Sequence, residues 1–195
     1  MSNYLKQILA VSVAGLLANS AIAADGTINF TGEILAASCS ATAGAGTTVA
    51  GEKGNQNIDV ALGKVSMDSL GGTNGITAGS AININLDCGN TAAGLTTVLV
   101  QFDPMSGSGV DAKKNSLLKT TGTAKGVGIG IFNADNTPVN LGANEFFAAP
   151  LVVTGKDLDA KYTAALNMRA GYVANGDTLV PGTANGTLPF TLTYK

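Results

Sequence analysis

Apolar residues recur at every second position in this sequence, in one short run after another. Residues 80–88 (SAININLDC) put Ile82, Ile84, Leu86 and Cys88 on one side. Residues 162–174 do the same with Tyr162, Ala164, Leu166, Met168, Ala170 and Tyr172, and residues 187–195 with Leu188, Phe190, Leu192 and Tyr194. Residues 57–65 alternate Ile58, Val60 and Leu62, and residues 126–132 set glycine against Val127, Ile129 and Ile131. Successive side chains of a strand leave on opposite sides, so this period marks β-structure with one buried face. Residues 96–102 (TTVLVQF) read as a further strand and 138–141 as a short one, while 145–153 show no clear period. The stretch 40–54 is built of small residues and accommodates a short strand and a long turn. Ser66 can cap a single helical turn over 66–70. With about eight or nine short strands, turn signals between them and no long helix, the chain is predicted to be all-β, a sandwich.

Residues 25–38 (DGTINFTGEILAAS) form another alternating run, just ahead of the first cysteine. One face holds Ile28, Phe30, Gly32, Ile34 and Ala36. A glycine inside such a row weakens a strand and marks a bulge or the close approach of another backbone. A strand of this kind is either an edge strand of its own domain or a segment meant for another molecule.

Residues 1–23 read as an export signal: Lys6, the uncharged and mostly apolar residues 8–17, then Ala21-Ile22-Ala23 as an A-x-A cleavage pattern. The apolar run falls short of the ~20 residues a membrane-crossing helix needs. The mature chain is then expected to hold 172 residues with ten basic and thirteen acidic ones, enough for one domain with a real core. Charged residues make up 12% of the sequence and show no basic cluster, which argues against a nucleic-acid partner. Cys39 and Cys88 are the two cysteines, and in an exported protein one disulfide between them is expected. With no histidine and no further cysteine, a thiolate metal site lacks ligands. The same lack excludes a Ser-His-Asp or Cys-His catalytic site. The remaining carboxylates sit in no suggestive local setting, so neither enzymatic activity nor a cofactor is expected.

Three weak motifs yield to plainer readings. Residues 46–53 approach a phosphate-binding loop, but Glu52 intrudes and Gly54 follows the lysine. Residues 126–132 carry the glycines of a dinucleotide loop without a helix after them, and are predicted to be a strand with glycine on its outer face. Asn133 and Asp135 have calcium-loop spacing without the later glycine and glutamate, so residues 133–138 are a hairpin turn.

Read together, these runs resemble the structural pilins of the chaperone–usher class, close to the type 1 fimbrial major subunit. The resemblance rests on GTINFTGEILAASC with its glycine and following cysteine, then DVALGKV, ININLDC and GVGIGIF in that order. It also rests on the ending, where Tyr194 is penultimate and Gly182 fourteenth from the end. What it implies is an incomplete immunoglobulin-like sandwich, completed by a donor strand from a neighbouring subunit. Residues 1–23 would be the signal peptide, 24–38 the donor extension and 39–195 the pilin domain. Ile28, Phe30 and Ile34 would enter the neighbour's groove, with Gly32 where the backbones pass closely. Gly182, Phe190, Leu192 and Tyr194 would border the acceptor groove that the chaperone reads. Implied partners are related pilins, a periplasmic chaperone and an outer-membrane usher, in an extracellular fimbria of a Gram-negative bacterium. The competing readings are a minor adaptor or terminator pilin, and a secreted binding domain whose sandwich is complete in itself.

Overall fold

The computed structural model describes residues 39–52, 55–70, 76 and 79–195. They lie in the second of two compact units, Leu35–Lys195. The expected signal peptide and donor extension fall outside the described residues.

Eleven strands run through the described residues: β1 (Ser40–Ala43), β2 (Thr47–Glu52), β3 (Asn55–Val60), β4 (Gly79–Asp87), β5 (Thr97–Phe102), β6 (Leu118–Lys119), β7 (Val127–Asn133), β8 (Phe146–Pro150), β9 (Val152–Thr154), β10 (Lys161–Ala174) and β11 (Phe190–Tyr194). One sheet has the order β1-β4-β10-β7-β6, with β9 against the start of β10; a second has the order β11-β5-β8; β2 and β3 form a hairpin. Every pairing is antiparallel. The inward rows of both larger sheets meet in one core, with Ile84 and Leu86 of β4 and Leu166 and Met168 of β10 against Val98 and Val100 of β5. The fold is therefore the all-β sandwich expected from the alternating runs.

β10 organises the larger sheet. It pairs with β4 from Thr163 to Gly171, with β7 from Met168 to Ala174 and with β9 from Lys161 to Thr163. Its inward residues Ala164, Leu166, Met168 and Ala170 are all buried. β7 departs from its expected form. Its glycine side is not an open outer face: Gly128 and Gly130 are buried. A Cβ on Gly128 would lie 2.8 Å from the Leu117 Cβ, and one on Gly130 would lie 2.7 Å from the Phe132 ring. Glycine recurs there because the chain's own side chains lie on that face. The turn after β7 forms as predicted, with the Asn133 Oδ1 accepting from the Asp135 and Thr137 N–H groups at 3.0 and 2.8 Å.

Residues 138–141 do not form the expected strand. Pro138 makes one isolated bridge to Phe132, and Leu141 begins a 3-10 turn whose Asn140 cap accepts from the Gly142 N–H. The turn over 66–70 is a 3-10 turn at Met67–Leu70, with the Ser69 N–H on the Ser66 carbonyl. The strand expected over 57–65 starts earlier and ends at Val60. The aperiodic stretch 145–153 holds β8 and most of β9.

Candidate functional site

The second sheet is unevenly covered. β5 lies between β11 and β8, and its inward residues Val98 and Val100 are 0% and 1% exposed. The inward residues of β11 are Phe190, Leu192 and Tyr194, opposite Phe102, Val100 and Val98. All three pack on the same core but are only partly buried. The difference follows from position. β11 has β5 on one side, and no described strand pairs with its other edge.

The hydrogen-bond pattern shows what that edge presents. Lys195 and Thr97 exchange bonds, with N···O distances of 2.9 and 2.8 Å. In an antiparallel ladder such pairs recur every second residue, so Thr193 and Thr191 also turn their backbone groups toward β5. The N–H and C=O groups of Phe190, Leu192 and Tyr194 therefore point to the outer edge. The same three residues offer their side chains inward. An extended segment laid along β11 meets a row of donors and acceptors together with a half-covered apolar floor.

The edge of β1 is arranged differently. The Gly44 N–H bonds the Asn83 carbonyl at 2.8 Å, which fixes the ladder with β4 and turns the backbone of Ala41 outward. Gln56 of β3 meets it: the Ala41 N–H donates to the Gln56 Oε1 at 2.8 Å, and the Gln56 Nε2 donates to the Ala41 carbonyl at 3.0 Å. A side-chain amide stands there in place of a strand. Two residues earlier, the Cys39 N–H donates to the Tyr194 hydroxyl. Burial holds the Tyr194 phenol above its ordinary pKa, and the Cys39 N–H works in the opposite sense. Tyr194 thus ties the end of β11 to the residue just ahead of β1.

The expected site residues are placed as follows. Cys39 and Cys88 form a disulfide, joining the approach to β1 to the end of β4. Phe190, Leu192 and Tyr194 form the inward row of β11. Gly182 lies off that strand, where a Cβ would come within 2.4 Å of the Thr123 Oγ1 and 2.5 Å of the Ala124 nitrogen. The neighbouring Thr183 bonds the same segment, its N–H to the Thr123 Oγ1 at 3.0 Å and its carbonyl to the Ala124 N–H at 3.0 Å. Ile28, Phe30, Gly32 and Ile34 lie outside the described residues. The sequence reading missed Gln56, since nothing local pairs an amide with a backbone fifteen residues away. It picked out Ile58, Val60 and Leu62 as an alternating row but not as half-buried residues on the same core. Among the described residues no cluster of three His, Cys, Asp or Glu side chains could hold a metal, and no helix is long and apolar enough to cross a membrane.

The family model described as fimbrial protein matches residues 28–195. The chain belongs to the fimbrial protein family. This fimbrial protein is 32% identical to long polar fimbria protein A of Salmonella typhimurium (strain LT2), over 97% of each chain. It is 30% identical to the probable major fimbrial subunit LpfA of Escherichia coli O157:H7, again over 97% of each. A solved chain from a chaperone–usher pilus shares 19% identity over 88% of this fimbrial protein and 96% of its own length, at a TM-score of 0.48. The fimbrial protein is a structural subunit of a pilus, as its family and relatives are.

Proposed function

We propose that this subunit is the repeating unit of a surface fimbria and polymerises by strand donation, residues 24–38 of one copy lying along the β11 edge of the next. The observation that supports this is the β11 edge, whose outward backbone groups belong to the three residues whose apolar side chains are left half-covered. An alternating segment with Ile28, Phe30 and Ile34 on one face suits that edge, and Gly32 suits a close backbone approach. Burial of three large apolar side chains contributes roughly 5–8 kcal/mol before ordering costs. The lack of a side chain at Gly182 lets the C-terminal segment pass close against residues 123–124.

Direction follows from the ends of the molecule. The extension leaves at Cys39, beside Tyr194. In a head-to-tail chain that end faces the opposite end of the next copy, where β11 starts. The C-terminal end of the extension then lies by Phe190 and its N-terminal end by Tyr194, so it runs antiparallel to β11. Such a contact is heterologous and does not close, so it yields a filament. Before assembly a periplasmic chaperone covers the same edge and an outer-membrane usher exchanges it, after export directed by residues 1–23. The role is non-catalytic and uses no cofactor.

Amide hydrogen exchange tests the reading. The amides of Phe190, Leu192 and Tyr194 are expected to exchange quickly in subunits refolded alone and to become protected in intact fimbriae. Equal exchange in both states would show that this edge accepts no strand.

A further inference from the structure

The end of the sandwich that carries Cys39 and Tyr194 also carries an exposed turn with a leucine at its tip, outside the strand-donation edge. A row crosses the larger sheet there. Cys39 is bonded to Cys88, the Cys88 N–H donates to the Tyr162 carbonyl at 2.9 Å, and Tyr162 pairs with Val153. Three inter-strand steps of about 4.8 Å put Val153 roughly 14 Å from Cys39. Val153 shares a face with Tyr162, which packs on the core, yet Val153 is 54% exposed. Residues 155–160 then return the chain to β10. Gly155 (φ +81°) and Asp157 (φ +52°) both take left-handed conformations, and the Ala160 N–H closes the turn on the Asp157 carbonyl at 3.3 Å. Leu158 stands out from it, 90% exposed, between two carboxylates. The other end of the molecule, where Asp103 bonds Pro189 at the start of β11, presents Met105 at 75% exposed.

A lone exposed leucine is ordinary; its placement singles this one out. Four residues, 35–38, separate Ile34 from Cys39. Fully extended, the five steps from Ile34 to Cys39 span at most about 17–18 Å. A neighbour holding Ile34 in its groove therefore lies within about 18 Å of Cys39, a reach that takes in Val153. We propose that the turn over residues 155–160, with Leu158 at its tip and Val153 at its base, seats the adjoining copy of this chain, against the end that carries Met105. The proposal rests on the strand-donation reading.

A benzophenone amino acid in place of Leu158, in fimbriae assembled from the full chain, tests it. Leu158 is exposed enough that the exchange leaves folding intact. Unheated samples are expected to show a ladder of multimers that collapses on boiling. After irradiation a new dimer should survive boiling, with its cross-link mapped to the Met105 segment of the adjoining copy. A normal heat-labile ladder with no covalent dimer, or with cross-links only elsewhere, would overturn the docking turn and leave strand donation standing. Absence of any ladder would overturn both.

Discussion

Tyr194 does two things at once. Its ring belongs to the half-covered inward row, and its hydroxyl accepts the Cys39 N–H. Tyr194→Phe keeps the ring and orphans that N–H, so it is expected to lower subunit stability by about 1 kcal/mol in urea unfolding; an unchanged midpoint would show that the bond contributes nothing. Gln56 acts on the backbone as well. Gln56→Ala removes both bonds to Ala41 and is expected to speed exchange of the Ala41 amide at least several-fold, while amides on β10 keep their protection. Unchanged exchange at Ala41 would mean that something other than the amide guards that edge. These roles differ in how far they could be read from sequence. The inward set on β11 follows from alternation alone. The Gln56 and Cys39 contacts depend on tertiary approach and leave no local pattern. Gly182 was marked by its distance from the end, but its contact with residues 123–124 needs coordinates.

At the scale of elements, strands were legible wherever large apolar residues point inward and polar ones outward, as in β4, β5, β10 and β11. β8 blurs that rule, since Phe147 packs on the core beside an equally large Phe146 that does not. It exposes Phe146 and buries Ala149, so its hydrophobic pattern hides its burial pattern. β9 has Val152 and Val153 both exposed and is a strand because it pairs with the start of β10. Residues 138–141 fail as a strand because Asn140 caps a 3-10 turn there. In β7 alternation was visible, but the cover over its glycines was not, since that cover includes Leu117 from another segment. Gly128→Val should accordingly destabilise the domain by about 1–3 kcal/mol, read as a lower unfolding midpoint. A midpoint shift under a few tenths of a kcal/mol would show that Leu117 yields without cost. The Cys39–Cys88 bond closes a loop with a sequence separation of 49. Its loss in a double Ala variant should remove about 4 kcal/mol in the chain-entropy account, enough to unfold much of a subunit that has no donor strand.

The described unit is a sandwich with two unlike ends, and at β11 it has a sheet edge that no described strand completes. Those features are what a head-to-tail polymer needs, and they make an isolated copy prone to association. A bulky residue at Gly32 is expected to leave subunits soluble with their chaperone while blocking fibre growth, seen as intact periplasmic complexes and bare cells. Normal fimbriae from that variant would remove residues 24–38 from the donor role. The central claim, that copies are joined by exchanged strands, meets its most direct test in surface fimbriae run on a denaturing gel with and without boiling. Strand exchange predicts a ladder of multimers in the unheated lane that collapses to one band on heating. A single monomer band in both lanes would contradict it and make the sandwich complete in itself.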